Sequence, residues 1–196
     1  MEFDEVIRKR RMVRHFTQEP VSPEAIERIL DAACHAPSAG YTQGQSFVVV
    51  TRPEMKAELA ELCGEKEMME RGWDPWISEA PVLVVPCTSE EAYHNRYREP
   101  DKIQDDGKEI EWPVPYWFMD VGCAVENLLL AAVDEGLAAG FAGTGDLDAL
   151  RTSLGIPGDV TPVGIIPIGH GAPDMRSPSL KRGRKASEDY VHREKW

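Results

Sequence analysis

The sequence predicts an α+β protein in which residues 1–196 form a single domain, a sandwich of helices and one central β-sheet. The length of 196 residues suits one domain. Helical and strand-like segments alternate irregularly, whereas a repeated βαβ fold would alternate regularly. Three continuous apolar runs are typical of strands that are covered on both faces.

Hydrophobic periodicity and capping residues predict the helices. Ser22 is a suitable N-cap, and Pro23 fits the first helical position behind it. The helix over residues 116–135 has the widest apolar stripe and ends before Gly136, so we expect it to be central and buried. The predicted helices are residues 3–13, 23–36, 53–63, 116–135 and 147–154.

The predicted strands are residues 46–51, 81–87 and 161–169, with a short strand at 138–142. Residues 88–115 are different, because they hold eight acidic and four basic side chains and few aliphatic ones. They are either an ordered surface excursion that acts as a lid or a partly disordered segment in the absence of ligand. Tyr93, Tyr97 and Trp112 are candidates for an apolar inner face of this segment.

The formal net charge of -12 is unevenly distributed. Residues 31–173 carry 9 basic and 24 acidic side chains, whereas residues 174–196 carry 7 basic and 4 acidic ones. Basic clusters lie at Arg8–Arg11 with Arg14 and between Lys181 and Lys185. Because arginine binds phosphate in a bidentate manner, the clusters are either one anion pocket or two solvated faces.

Composition also excludes several classes of protein. An acidic chain is a poor general ligand for nucleic acids, no apolar run approaches the roughly 20 residues of a membrane span, and the N-terminal residues lack the features of a signal peptide. The four cysteines have neither CxxC nor zinc-ligand spacing. We therefore expect a reduced, cytoplasmic protein without a metal site and without nucleic-acid or membrane partners.

No motif of side-chain catalysis is present. The chain has no P-loop, HExxH or GxSxG motif, and none of its five histidines stands in a recognisable triad. If the protein is an enzyme, this pattern favours a bound cofactor that performs the chemistry. The glycine-rich residues 140–145 are either a strand–helix turn or a loop whose N–H groups approach a planar ligand.

Several stretches, taken in order, resemble the nitroreductase family of FMN-dependent oxidoreductases. Together they span most of the chain outside roughly residues 65–115, and their order and spacing carry the resemblance. They are Arg10–Phe16 (RRMVRHF), Ala36–Ala39 (APSA), Asp120–Leu137 with the Gly143 loop, Leu154–Pro157 leading to His170, and the basic tail near Arg184.

This resemblance implies a nitroreductase-like sandwich with a central mixed β-sheet, assembled as an interlocked homodimer with two FMN sites at the subunit interface. It implies reduction by NADH or NADPH and delivery of two electrons to a nitroaromatic, quinone or related small-molecule acceptor in a ping-pong cycle.

The resemblance also implies roles for individual residues. Arg10 would hold the FMN phosphate, Arg14 would lie near the ribityl chain or the pyrimidine edge, and the Gly143 N–H is the candidate catalytic donor to flavin N5. Residues 37–39 would come from the partner subunit. The implied cofactor-binding residues are Arg10, Arg11, Met12, Arg14, Pro37, Ser38, Ala39, Tyr41, Gln43, Ala142, Gly143, Thr144, Arg182 and Arg184.

Four positions depart from the family pattern. Met12 replaces a common serine or threonine, and Tyr41 replaces an asparagine that would bond the pyrimidine edge; Gln43 is retained, but Gly44 and Gln45 replace proline and tryptophan. Alternatives are therefore a reductive dehalogenase, the flavin-destroying enzyme that makes dimethylbenzimidazole, or a non-catalytic flavin-binding protein. The physiological acceptor and the choice between NADH and NADPH stay open.

Overall fold

The computed structural model describes all of residues 1–196 and contains seven α-helices and five β-strands. The helices are α1 (Phe3–Lys9), α2 (Pro23–Cys34), α3 (Pro53–Leu62), α4 (Glu65–Glu70), α5 (Glu90–Tyr97), α6 (Tyr116–Asp134) and α7 (Leu147–Leu154). The strands are β1 (Gln45–Val50), β2 (Val82–Thr88), β3 (Ala138–Ala139), β4 (Thr161–Pro162) and β5 (Ile166–Gly169). Short 3-10 helices occupy Ala39–Tyr41, Pro178–Arg182 and Ser187–Asp189.

The strands form one sheet in the order β1-β2-β5-β3, with β4 also pairing with β2. Every pair of named strands is antiparallel. The parallel component expected of a mixed sheet is limited to the isolated bridge between Met12 and Ala139. The predicted α+β class is confirmed.

Helices cover both faces of the sheet, and β2 shows this directly. Val82 and Val84 belong to one hydrophobic cluster with residues of α2 and α6. Leu83 and Val85, which point to the opposite face, belong to a second cluster with residues of α3 and α7. All seven residues of β2 are buried, as predicted for a strand that is covered on both faces.

The central helix α6 is long and apolar enough to pass the length and composition test for a membrane span. It packs along α2 and against the sheet, and its Ala124, Leu128 and Ala132 are fully buried. The amide of Asn127 donates to the carbonyl oxygen of Ala32 on α2 at 3.1 Å. We therefore interpret α6 as the buried core helix that the sequence predicts.

The N-terminal helix ends at Lys9, so the prediction of a helix to residue 13 was wrong. The following backbone runs beside β3, where the Val13 N–H donates to the carbonyl oxygen of Ala139 at 3.0 Å. These sheet-like contacts replace helical ones. As a result, residues 10–14 extend along the edge of the sheet.

The predicted strand at 161–169 is divided into β4 and β5. Gly164 separates them with a φ of +155° and faces the ring of Phe141, which lies 2.5 Å from an ideal Cβ at this glycine. This backbone conformation interrupts the ladder, a feature that apolar composition does not reveal. The short strand predicted at 138–142 ends at Ala139, and α4 was not predicted.

Gly140 is the first residue of the glycine-rich loop and packs against Val13 and Trp76 of the same chain. An ideal Cβ here would lie 2.6 Å from the Val13 carbonyl oxygen and 2.7 Å from Cζ3 of Trp76. We expect Gly140→Ala to lower the free energy of unfolding by about 1–3 kcal/mol in denaturant titrations, because backbone and a buried ring must shift. The control Gly158→Ala meets nothing within 4 Å and should cost less than about 0.5 kcal/mol; equal losses would contradict this packing argument.

Candidate active site

The two basic clusters lie together in the folded chain. They line a pocket of about 470 Å³ that contains five arginine side chains. The two clusters therefore contribute to one shared pocket and do not form two separate faces. The lining residues are Arg10, Arg11, Met12, Arg14, Asp174, Met175, Arg176, Ser177, Leu180 and Arg184.

A buried carboxylate organises this pocket. Asp174 Oδ1 lies 2.6 Å from Nη1 of Arg11, and its Oδ2 accepts the backbone N–H of Arg14 at 3.0 Å. Burial opposes ionisation of Asp174, but the hydrogen bonds from Arg11 and from the Arg14 N–H outweigh it and hold the pKa below its ordinary value. Asp174 was not predicted, because a lone aspartate in a Pro-containing tail carries no local signal.

The pocket arginines differ in whether a carboxylate already neutralises their charge. Arg11 is paired with Asp174, and Arg10 Nε lies 3.6 Å from a Glu126 carboxylate oxygen of α6. Arg176 and Arg184 also line the pocket and form no ion pair. Their charge is available to an anion, and Arg176 is a further residue that the sequence analysis missed. Arg182, a predicted site residue, is not among the lining residues.

Arg14 is held by aromatic rings. Its guanidinium carbon lies 5.1 Å from the ring centroid of Trp73 and 5.5 Å from that of Trp76, within the range of cation–π attraction. Trp76 is 2% exposed and contacts Gly140. The arginine pocket and the glycine-rich loop are therefore connected through one buried indole.

In the glycine-rich loop, the backbone N–H groups of Gly143 and Thr144 make no hydrogen bond within the chain, whereas that of Ala142 does. Ala142 is buried and exchanges two backbone hydrogen bonds of 2.8 Å with Ile165. The Thr144 hydroxyl donates to the carbonyl oxygen of Leu62 at 2.9 Å. Gly143 is exposed, has nothing within 4 Å of an ideal Cβ, and its N–H makes no hydrogen bond within the chain.

Residues 37–43 form a separate rigid segment that does not line the arginine pocket of the same chain. The Ala39 N–H donates to Asp120 Oδ2 at 2.8 Å, and the Gln43 N–H donates to the Ser38 hydroxyl at 2.9 Å. Tyr41 and Gln43 have φ values of +56° and +53°, a strained conformation for such side chains. Tyr41 is 77% exposed, and Pro37 is also exposed.

Residues 88–115 include the helix α5, which the sequence analysis missed. Ser89 caps it by accepting the Ala92 N–H. The helix lacks aliphatic periodicity, because it buries an aromatic ring instead: Tyr93 is fully buried, and its hydroxyl donates to Asp120 at 2.8 Å. The predicted aromatic inner face is present, with the rings of Tyr97 and Trp112 4.6 Å apart.

Two titratable side chains, His94 and Glu109, connect α5 to the loop that follows it. His94 Nδ1 lies 2.5 Å from Glu109 Oε1, which also accepts the Trp112 indole N–H, and Arg98 Nε lies 3.2 Å from Glu109 Oε2. The Glu109 hydrogen bond raises the pKa of His94, although burial opposes this, and Glu90 adds to the effect. For Glu109, burial is outweighed by the Trp112 and His94 hydrogen bonds, and the pKa is lowered.

These shifts predict a pH dependence of stability. The His94 contribution is complete below its ordinary pKa of about 6.5 and is lost as pH rises through the raised folded value. The Glu109 contribution is present above its ordinary value of about 4.3 and is lost as pH falls through the lowered one. The melting-temperature difference between wild type and His94→Gln should thus be largest near pH 5.5 and shrink by pH 8. A difference that stays constant over this range would contradict the assignment.

The structure is that of an α+β protein with an arginine-lined pocket, and comparison with known proteins agrees with this fold class. Residues 7–170 match the model of the nitroreductase family. The chain belongs to this family, and the resemblance noted in the sequence is confirmed.

Two relatives and one solved structure show the range of the similarity. The FMN reductase (NAD(P)H) of Bacillus subtilis is 30% identical over 200 residues, covering 94% of this chain and 70% of the relative. Iodotyrosine deiodinase 1 of Mus musculus is 31% identical over 202 residues, covering 92% of this chain and 66% of the relative. The structure of NfrA1 from B. megaterium has a TM-score of 0.80 at 24% identity, covering 100% of this chain and 75% of that one, and supports the fold.

Proposed function

We propose that the protein is an FMN-dependent oxidoreductase that takes two electrons from NADH or NADPH and passes them to a small-molecule acceptor in a ping-pong cycle. The observation that carries the proposal is the arginine pocket, connected through Trp76 and Gly140 to the free N–H of Gly143. Family membership and the similarity to an FMN reductase agree with it.

The residues present fit FMN in two respects. A phosphate dianion suits a pocket with five guanidinium groups, of which Arg14, Arg176 and Arg184 lack a counter-ion. A planar ring system suits the exposed Gly143, where no side chain blocks approach to the N–H. When bound there, FMN would supply the ability to accept a hydride and to release it to an acceptor.

Within this proposal the arginine side chains bind FMN and orient it. Arg10 and Arg184 hold the phosphate, with Arg176 beside them, while Arg11 is committed to Asp174 and shapes the pocket wall. Arg14 supplies a cation for the ribityl chain or the pyrimidine edge. The Gly143 N–H donates to flavin N5.

We further propose a homodimer in which Pro37, Ser38, Ala39, Tyr41 and Gln43 of the partner complete each site. The segment is rigid and partly exposed but does not line the arginine pocket of its own chain. Large exposed apolar side chains on α1 and α6 suit burial against a second copy; they are Phe3, Ile7, Phe118 and Met119. The exposed C-terminal tail, including Tyr190 and Trp196, remains a candidate for the same contact. We also propose that this dimer is cytoplasmic.

A second candidate function is reductive dehalogenation of an aromatic acceptor. The similarity to a mouse iodotyrosine deiodinase favours it. So does the aromatic cluster of Tyr93, Tyr97 and Trp112, which packs beside residues 38–44 as a lid over an aromatic acceptor would.

Titration of the purified protein with FMN and, in parallel, with riboflavin tests the proposal. Riboflavin lacks the phosphate, so we expect it to bind at least ~10-fold more weakly, the scale of a lost charged hydrogen bond. Equal affinities would show that the arginine pocket is not the phosphate site. NADH and NADPH oxidation with a nitroaromatic, a quinone and an iodinated tyrosine as acceptors then separates the two candidate reactions.

A further inference from the structure

We infer that Trp73 and Trp76 are positioning residues that hold the Arg14 cation, without a counter-ion, towards the ligand of the arginine pocket. This inference rests on the proposed function and deepens it, because it assigns the control of charge at that site to a segment that the family motifs do not cover. Both tryptophans lie in the loop between α4 and β2.

Arg14 differs from the other pocket arginines near the sheet. Arg10 and Arg11 each face a carboxylate, at 3.6 Å and 2.6 Å. The Arg14 side chain forms no ion pair, and its guanidinium instead lies over two indole rings, 5.1 Å and 5.5 Å from their centroids. Indole faces attract a cation without neutralising its charge.

A buried carboxylate and a lysine fix the backbone that follows Trp76. Glu65 is 5% exposed, and its Oε1 accepts the backbone N–H groups of Ile77 at 2.5 Å and of Ser78 at 3.1 Å. The Lys56 ammonium donates to the carbonyl oxygen of Ala80 at 2.6 Å. These contacts fix the chain directly after Trp76, which is itself 2% exposed.

The backbone at Val13 and Arg14 is fixed as well. The Arg14 N–H donates to Asp174, and the preceding Val13 N–H donates to Ala139. The backbone and the guanidinium are thus held independently, so the charge occupies one place before a ligand binds. A preorganised cation favours the more electron-rich state of a ligand, because no reorientation is needed when negative charge develops.

The consequence is a difference between oxidation states. Substitution of Trp73 by a non-aromatic residue would remove one of the two ring faces that hold Arg14. The Arg14 side chain would then be free to turn towards water or a carboxylate. Binding of the oxidised ligand would change little, whereas the reduced ligand would lose more of its stabilisation. A merely structural role of Trp73 would affect both states equally.

The test measures the midpoint potential and the dissociation constant of bound FMN in Trp73→Leu, Trp73→Phe and the control Met69→Leu, a residue of α4 that is 47% exposed. We expect Trp73→Leu to reduce the preference for two-electron-reduced over oxidised FMN by about tenfold, which is a potential lower by about 30 mV. Trp73→Phe should retain most of the preference, because it keeps an aromatic face. Met69→Leu should change neither quantity.

A double-mutant cycle assigns the effect to Arg14. In an Arg14→Ala background, Trp73→Leu should cause no further change in potential. An unchanged potential in the single variant, or an equal change with and without Arg14, overturns the inference while leaving the proposed function intact. Wild-type protein that binds no FMN would overturn the proposed function and the inference with it.

Discussion

Gly143→Pro is expected to slow the bleaching of bound FMN by NADH or NADPH about 100-fold, measured by anaerobic stopped-flow absorption. Proline has no backbone N–H, so the substitution removes the unpaired Gly143 donor that we assign to flavin N5. Loss of a single preorganised donor to a reacting group costs about 10²–10³ in rate in other enzymes.

The matched control is Gly143→Ala. It keeps the N–H, and its Cβ would meet no atom within 4 Å, so the rate should stay within about threefold of wild type. Because Gly143 lies outside all helices and strands, both variants should fold. Equal slowing in the alanine and proline variants would show that shape, and not the N–H, is what matters at this position.

Arg10→Ala is expected to weaken FMN binding by about 1.5–3 kcal/mol, which is the scale of a hydrogen bond to a charged group. The arginine lines the pocket, and the 3.6 Å separation from Glu126 is too long for it to be fully committed there. Its loss would leave the phosphate with fewer charge-assisted contacts. Fluorescence titration of the apoprotein with FMN measures the change.

The control for this variant is Arg8→Ala. Arg8 carries the same charge, but its side chain is 78% exposed and pairs with Asp4 on the surface of α1. Its removal should leave FMN affinity nearly unchanged at physiological salt. If both variants lose affinity equally, the loss reflects the net charge of the protein and not a contact of Arg10 with the phosphate, and the role assigned to Arg10 is wrong.

Local signals in the sequence predicted much of the fold. Ser22 accepts the Ala25 N–H, so the predicted cap begins its helix as expected. The helix predicted at residues 147–154 is present with the same bounds. The apolar stripe of α6 and the buried run of β2 are also confirmed. These features depend on neighbouring residues alone, which is why the sequence reveals them.

Features that depend on distant partners were not predictable. The helix prediction continued past Lys9, because nothing local shows that Val13 pairs with Ala139 in the sheet. Asp174 and Glu65 are buried acceptors whose partners lie far along the chain or in an adjoining loop. The helix α5 was missed because its buried residue is a tyrosine and its other positions are mostly polar.

The candidate site was likewise predictable only where neighbouring residues carry the signal. Charge clustering indicated an anion pocket, and the fold brings Arg10, Arg11, Arg14 and Arg184 into one. Spacing could not reveal that Arg14 lies over two indoles, or that Arg176 joins the pocket. The contribution of residues 37–43 from a partner subunit stays a prediction.

The most direct test of the central claim is the visible absorption spectrum of the purified protein, recorded anaerobically before and after addition of NADH or NADPH. We predict a flavin spectrum, present on purification or after FMN is added back, that bleaches with at least one nucleotide. A flavin spectrum that neither nucleotide bleaches would contradict the proposed electron donor. A folded protein that takes up no FMN would contradict the account of the site itself, and the family relationship would then describe the fold alone.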